Sequence, residues 1–165
     1  DVLGSRGLGD VYKRQVLYFT GRSRSSAAII NEQKKNTSEG NQTAIEAMHK
    51  IKQSAIDTKL ALLKGDVGEF ARILGEGWEN KKKMAGAITN PMIQEAFDVA
   101  TGAGAMAGKV SGAGGGGFIM FVVEPTRKEE VVRALNNLNG FVMPFQFIDD
   151  GAHGWKIYST DKVQK

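Results

Sequence analysis

The chain has 165 residues, of which 41% are hydrophobic and 24% are charged, and its formal net charge is +4 at pH 7. This length is sufficient for one folded domain with its own core, and the lack of cysteine excludes disulfides and thiolate metal sites. No apolar run approaches the roughly 20 residues that cross a bilayer, and no secretory signal is visible, so we expect a cytoplasmic protein that does not bind a membrane. The few aromatic residues do not alternate with basic ones, so we expect no binding of nucleic acid.

The N-terminal region is divided by its hydrophobic pattern. Residues 1–15 show no period and contain three glycines, and we interpret them as a non-native or disordered segment. Residues 16–19 are apolar and aromatic, which predicts a strand. After a turn, residues 24–30 open a helix, and the polar residues 31–40 are interpreted as its end and an exposed linker.

Three further helices are predicted in the middle of the chain. The first covers residues 41–64 and ends at Gly65, with an apolar stripe formed by Ile45, Met48, Ile51, Ala55, Ile56, Leu60 and Leu63. The second follows Asp66, whose spacing to Glu69 is that of a capping box. The third runs from Pro91 to about residue 105, because proline is favoured at the first helical position.

Residues 109–118, KVSGAGGGGF, are half glycine and precede an apolar strand at 119–123. The predicted order is therefore helix, glycine loop, strand. A dinucleotide-binding G-x-G-x-x-G needs a strand before it and a helix after it, and a phosphate loop needs its lysine after the last glycine, so both are excluded. Two interpretations remain open: an anion-binding nest supplemented by Lys109 and Ser111, or a tightly packed connection.

The C-terminal region predicts a helix over 127–138, a strand over 142–148 interrupted by Pro144, and a closing strand over 155–158 before a tail at 159–165. The spacing of Asp149, Asp150 and His153 matches no established pattern of metal ligands, so we expect no metal there. Four strands and about five helices, with the helices clustered early, predict an α+β two-layer domain.

The glycine-rich stretch 109–118 resembles the third signature motif of the GHMP kinases, the superfamily of galactokinase and of homoserine, mevalonate and phosphomevalonate kinases. The likeness covers residues 16–158 and is greatest to sugar kinases of the heptose 7-phosphate kinase type. It implies the C-terminal domain of such a kinase, a ferredoxin-like α+β plait with additional helices.

The resemblance also implies roles for individual residues. The loop would support the ATP phosphate loop of an N-terminal domain through Lys109, Ser111, Gly112, Ala113, Gly114, Gly115, Gly116 and Gly117. Candidate substrate contacts are Arg24, Trp78 and Lys82, and Lys81 is a further candidate contact for an anionic sugar. The alternatives are a solvated or salt-bridged arginine, a tryptophan in the core and solvated lysines. Neither the family's ATP loop nor its catalytic aspartate is found here, so catalytic residues, ATP and Mg²⁺ are expected mainly in that missing domain.

The function implied is the C-terminal portion of an ATP-dependent sugar kinase that phosphorylates a heptose 7-phosphate at the anomeric hydroxyl. The alternatives are a fucose- or galactose-type kinase, or a noncatalytic small-molecule binding or interaction module of the same fold. The expected partners are a sugar phosphate and the missing N-terminal kinase domain. Without that domain we expect this chain to be inactive, and its uncovered face to promote self-association.

Overall fold

A four-stranded antiparallel sheet organises the fold. The structure is a computed structural model that describes residues 13–22, 25–146, 148 and 151–155. Within these ranges the sheet order is β2-β3-β1-β4, so the first strand lies inside the sheet between two strands from the second half of the chain. The strands are β1 (Gln15–Phe19), β2 (Ala105–Val110), β3 (Phe118–Val123) and β4 (Phe141–Met143).

Five α-helices accompany the sheet in the described part of the chain. They are α1 (Ser26–Ser38), α2 (Gln42–Lys64), α3 (Val67–Lys82), α4 (Pro91–Gly102) and α5 (Lys128–Leu135). Three of them begin as predicted, because the side chains of Asn41, Asp66 and Asn90 each accept the N–H of the residue three positions later. The mixture of helices with an antiparallel sheet confirms the α+β fold class.

The core has two parts, one on each face of β3. Ile119, Phe121 and Val123 alternate along the strand and belong to the main cluster, which includes Ile88, Ile93 and Leu135. Val122 points the other way and joins a smaller cluster with Ala61 of α2 and with residues of α3: Phe70, Ala71 and Ile73. The sheet is therefore covered by α3 near β2 on one face and by α4 and α5 on the other.

The structure corrects the predicted order around the glycine loop. Residues 105–110 form β2, so the order is helix, strand, loop, strand, and the loop closes a β-hairpin. Sequence patterns missed β2 because alanine, glycine and lysine have low strand propensity, and pairing with β3 supplies what propensity does not. The dinucleotide fingerprint stays excluded, because a strand rather than a helix follows the last glycine.

Several other boundaries differ from the prediction. Helix α1 continues to Ser38, through the segment that was expected to be a linker. Helix α5 ends at Leu135 rather than 138. Strand β4 stops at Met143, immediately before Pro144, whose missing N–H cannot extend the ladder.

The apolar stripe predicted for α2 faces largely outwards. Ile56, Leu60 and Leu63 are 52%, 49% and 74% exposed, and the helix is buried instead through its alanines, Ala44, Ala47 and Ala61. The helix packs mainly on α3, where Ala61 joins the cluster formed by Phe70, Ala71 and Ile73. Within the described ranges, no helix combines the length and the apolar character that a membrane span requires.

Several predicted features lie outside the described residues. They are most of the N-terminal segment (1–12), Arg24, the pair Asp149 and Asp150, most of the closing strand (156–158) and the tail at 159–165. The division of the chain into 1–15, 16–158 and 159–165 therefore stays a prediction. Strand β1 begins at Gln15, one residue before the predicted boundary.

Candidate functional site

The glycine loop, residues 111–117, joins β2 to β3. Its base is closed by the N–H of Ser111, which donates to the carbonyl oxygen of Phe118 at 2.8 Å. Gly112, Gly114 and Gly115 have φ angles of 74°, 108° and 76°. These values lie in the left-handed region, where side chains with a Cβ are strained, so the loop conformation itself selects glycine.

One side of the loop packs on the backbone that leads into α4. The N–H of Gly115 donates to the carbonyl oxygen of Ile88 at 2.8 Å, and a Cβ built on Gly114 would lie 2.7 Å from the same oxygen. Asn90 links this contact to the helix: its Nδ2 donates to the carbonyl oxygen of Gly115 at 3.0 Å, and its Oδ1 accepts the N–H of Ile93 at 3.0 Å. The helix cap and the loop are thus held by one side chain.

The other side of the loop is bonded to the segment after β1. The N–H of Gly117 donates to the carbonyl oxygen of Arg22 at 2.8 Å, and the N–H of Thr20 donates to the carbonyl oxygen of Gly117 at 2.9 Å. Thr20 is buried, and its hydroxyl donates to the carbonyl oxygen of Arg22 at 3.2 Å. The loop is therefore fixed between two segments that are distant in sequence.

Part of the loop keeps unused donors. The N–H groups of Gly112, Ala113 and Gly116 donate to no acceptor among the residues that the structure describes. Neighbouring backbone N–H groups of this kind can bind an anion. The contacts of a packed connection are present, and the anion-binding interpretation stays open alongside them.

Lys81, in the last turn of α3, contacts the loop directly. Its Nζ donates to the carbonyl oxygen of Gly112. Burial of the ammonium group lowers the pKa of Lys81, and the positive charge of Lys109 on β2 lowers it further. Two half-buried lysines from different elements therefore lie close enough to repel each other beside the glycine loop.

These two lysines lie in a groove between α2, α3 and β2. The groove has a volume of about 410 Å³ and is open to solvent. Apart from the lysines, its lining carries hydroxyl or apolar groups and no carboxylate. The lining residues are Ile51, Ser54, Ala55, Thr58, Ile73, Leu74, Gly77, Trp78, Lys81 and Lys109.

Of the predicted substrate contacts, Trp78 and Lys82 do not lie together in the groove. Trp78 is buried, with its ring stacked on Phe97 at a centroid distance of 5.4 Å, and it also borders the groove. Lys82 does not line the groove and pairs with Glu79 at 2.6 Å. Arg24 lies outside the described residues. The substrate roles of Arg24, Trp78 and Lys82 stay predictions, and the pairing of Lys81 with Lys109 is added by the fold.

A second cavity, of about 630 Å³, lies beside Gly115 at the start of α4. Asn90, Glu95 and Arg22 contribute to its lining, so it presents both charges. In the described ranges, no three histidine or carboxylate side chains gather as metal ligands.

Comparison with known proteins identifies the fold and its family. The family model for the C-terminal region of GHMP kinases matches residues 58–139. That range contains α3, the glycine loop, the sheet strands β2 and β3, and the groove lysines. The lysine pair and the hairpin therefore lie inside the matched domain.

Relatives of known name agree with this match. The D-glycero-alpha-D-manno-heptose 7-phosphate kinase of Campylobacter jejuni is 41% identical over 87% of this chain and 42% of its own length. A solved D-glycero-D-manno-heptose 1-phosphate kinase from Bacteroides thetaiotaomicron is 69% identical, with a TM-score of 0.63 over 94% of this chain and 39% of that chain.

A more distant solved structure extends the likeness of fold alone. The mevalonate kinase of L. major is 18% identical and has a TM-score of 0.68 over 74% of this chain and 37% of that one. The chain spans about two fifths of the length of the heptose kinases it matches. The chain belongs to the GHMP kinase family, and residues 58–139 match the C-terminal region of that family.

Proposed function

We propose that the protein containing this chain is an ATP-dependent sugar kinase whose acceptor is a heptose 7-phosphate and whose target is the anomeric hydroxyl. The observation that carries the proposal is the glycine hairpin loop with two lysines beside it. Two relatives named for phosphorylated heptoses support the substrate class, although one name refers to the 7-phosphate and the other to the 1-phosphate.

Phosphoryl transfer depends mainly on positioning and on stabilising negative charge, which suits the features of this loop. The loop is rigid because Ile88 and Arg22 accept its hydrogen bonds on opposite sides. Its unused N–H groups at Gly112, Ala113 and Gly116 fit phosphate oxygens. In the proposed function these groups, with Lys109 and Ser111, support the nucleotide's phosphate loop or contact phosphate.

ATP and Mg²⁺ are assigned mainly to a part of the kinase outside this chain. When bound, Mg²⁺ neutralises charge on the transferring phosphates. The described residues gather no group of three acidic or histidine side chains, and the proposal places the magnesium ligands in the other part of the kinase. The backbone donors of the loop fit phosphate, which is consistent with a supporting role.

The test uses a full-length protein that contains this chain. ADP release is measured with heptose 7-phosphate, galactose and fucose as acceptors, and phosphorus NMR locates the new phosphate. Turnover with the phosphorylated heptose and a new phosphate at the anomeric position is the expected result. Equal turnover of galactose or fucose would favour the other sugar kinase type, and no turnover with any acceptor would favour a noncatalytic module.

The 165-residue chain alone provides a second test. We expect it to fold without kinase activity and to bind Mg-ATP weakly, because the family's ATP loop and catalytic aspartate are not found in its sequence. Calorimetric titration with Mg-ATP measures this directly. Micromolar affinity, or turnover with a sugar phosphate, would contradict the assignment of the nucleotide site to another part of the kinase.

A further inference from the structure

Lys81 of α3 and Lys109 of β2 differ in their bonding partners from Lys82 and Lys83, the other lysines at the end of α3. Lys82 pairs with Glu79 at 2.6 Å, and Lys83 donates to Oδ1 of Asn80 at 3.3 Å. Lys81 and Lys109 have no carboxylate partner among the described residues. Their charges are therefore balanced by no acidic side chain in the part of the protein that the structure describes.

The position of this pair makes the lack of a counter-charge costly. Both side chains are half-buried, and both line the groove between α2, α3 and β2. Like charges that are partly removed from water repel each other more strongly than on an open surface. Among the described residues, Lys81 donates its hydrogen bond to the carbonyl oxygen of Gly112, which does not neutralise a charge. A bound anion would do so.

The charge of the pair matches a phosphate monoester. Such a group carries a charge between about −1.5 and −2 at pH 7, because its second pKa is near 6. The lysines supply two positive charges, and Thr58 of α2 adds a hydroxyl to the lining. The groove has no carboxylate for a metal, whereas the phosphates of a nucleotide are bridged by metal ions during transfer. The lining therefore suits a metal-free sugar phosphate better than a nucleotide.

We propose that Lys81 and Lys109 bind the phosphate that the acceptor sugar already carries, and so select phosphorylated over neutral sugars. This proposal rests on the proposed kinase function. It also assigns the bond from Lys81 to Gly112 a role, since it connects the acceptor's phosphate to the loop. The lysines are specificity-determining residues, and for Lys109 contact with the acceptor's phosphate replaces support of the nucleotide's phosphate loop.

The test measures binding in a full-length protein that contains this chain, without nucleotide. Lys81→Gln and Lys109→Gln should each weaken calorimetric binding of heptose 7-phosphate at least about tenfold, as expected for loss of a charged hydrogen bond. Lys83→Gln, at an exposed lysine of the same helix end, should change affinity by less than about twofold. Lys81→Arg should restore most of the affinity, and inorganic phosphate should compete in the wild type only.

Several results would overturn the proposal. One is equal affinity in Lys109→Gln and Lys83→Gln, and this comparison does not depend on the bond from Lys81 to the loop. Another is weaker binding of ATP with unchanged binding of the sugar phosphate, which would identify the ligand as a nucleotide phosphate. Turnover by the wild type is measured separately, so an active kinase with unaffected lysine variants would reject this inference and leave the proposed function intact.

Discussion

Substitution of Gly114 by alanine should destabilise the domain far more than the same substitution at Gly112. Both glycines have positive φ, 108° and 74°, and a side chain in such a conformation costs about 1–3 kcal/mol. At Gly112 a Cβ meets nothing within 4 Å, so we expect a loss of about 1–2 kcal/mol. At Gly114 the Cβ would lie 2.7 Å from the carbonyl oxygen of Ile88, and overpacking adds about 1–3 kcal/mol.

The obstacle at Gly114 is backbone that cannot rotate away. Ile88 is fully buried, and its carbonyl oxygen already accepts the N–H of Gly115. The total expected loss for Gly114→Ala is therefore about 2–6 kcal/mol. Urea denaturation of both variants and the wild type, followed by circular dichroism, gives the two differences in free energy of unfolding. Equal losses would refute the packing of this loop on Ile88.

Three further predictions concern single residues. Asn90→Ala should lower the free energy of unfolding by about 1–3 kcal/mol, because Asn90 both caps α4 and donates a hydrogen bond to Gly115. This loss should exceed that of the cap variant Asn41→Ala by about 1 kcal/mol. Equal losses in urea denaturation would show that the bond to Gly115 contributes no stability. Gly108→Ala should cost about 1–3 kcal/mol, since its Cβ would lie 2.6 Å from the buried ring of Phe121, whereas Gly102→Ala, with open space, should be neutral or stabilising; matching losses would contradict this. Because the pKa of Lys81 is lowered in the folded protein, the unfolded state binds more protons between that pKa and the ordinary 10.5. The free energy of unfolding should therefore rise with pH across this window. Urea denaturation at each pH should show that Lys81→Gln lacks this rise.

Helix starts could be predicted from sequence because they depend on local chemistry. The caps at Asn41, Asp66 and Asn90 need only a side-chain oxygen and an N–H three residues away. Strand β2 could not be predicted in this way. Its residues have low strand propensity, and it forms because β3 offers a partner that is apolar and buried.

The orientation of α2 was also beyond local patterns. Its larger apolar residues are regularly spaced, which predicts an inward stripe, yet the residues that the helix buries are alanines. Close packing of two helices favours small side chains on the facing surfaces. Which of two faces is buried then depends on the shape of the neighbouring helix, and a periodic pattern carries no information about that shape.

The site was predictable in its motif and not in its partners. The glycine run identified the loop and the family, because the composition is local and unusual. The pairing of Lys81 with Lys109 depends on α3 packing against β2, and β2 was not predicted. The residues that accept the loop's hydrogen bonds, Ile88 and Arg22, are ordinary in type and carry no signal in the sequence.

The two interpretations of the loop apply to different residues within it. A Cβ on Gly114 or Gly116 would lie within 3 Å of the carbonyl oxygen of Ile88 or Arg22, respectively, so packing explains these two glycines. At Gly112 the space is open and the N–H donates to no described acceptor, so packing explains neither feature. In the proposed full-length kinase, Gly112→Ala should therefore reduce phosphoryl transfer by more than its modest loss of stability predicts, while Gly114→Ala should lose activity and stability together. Kinase assays below the unfolding temperature of each variant separate these cases. Because alanine keeps the backbone N–H, full activity in Gly112→Ala would show that transfer does not require the open space beside this residue.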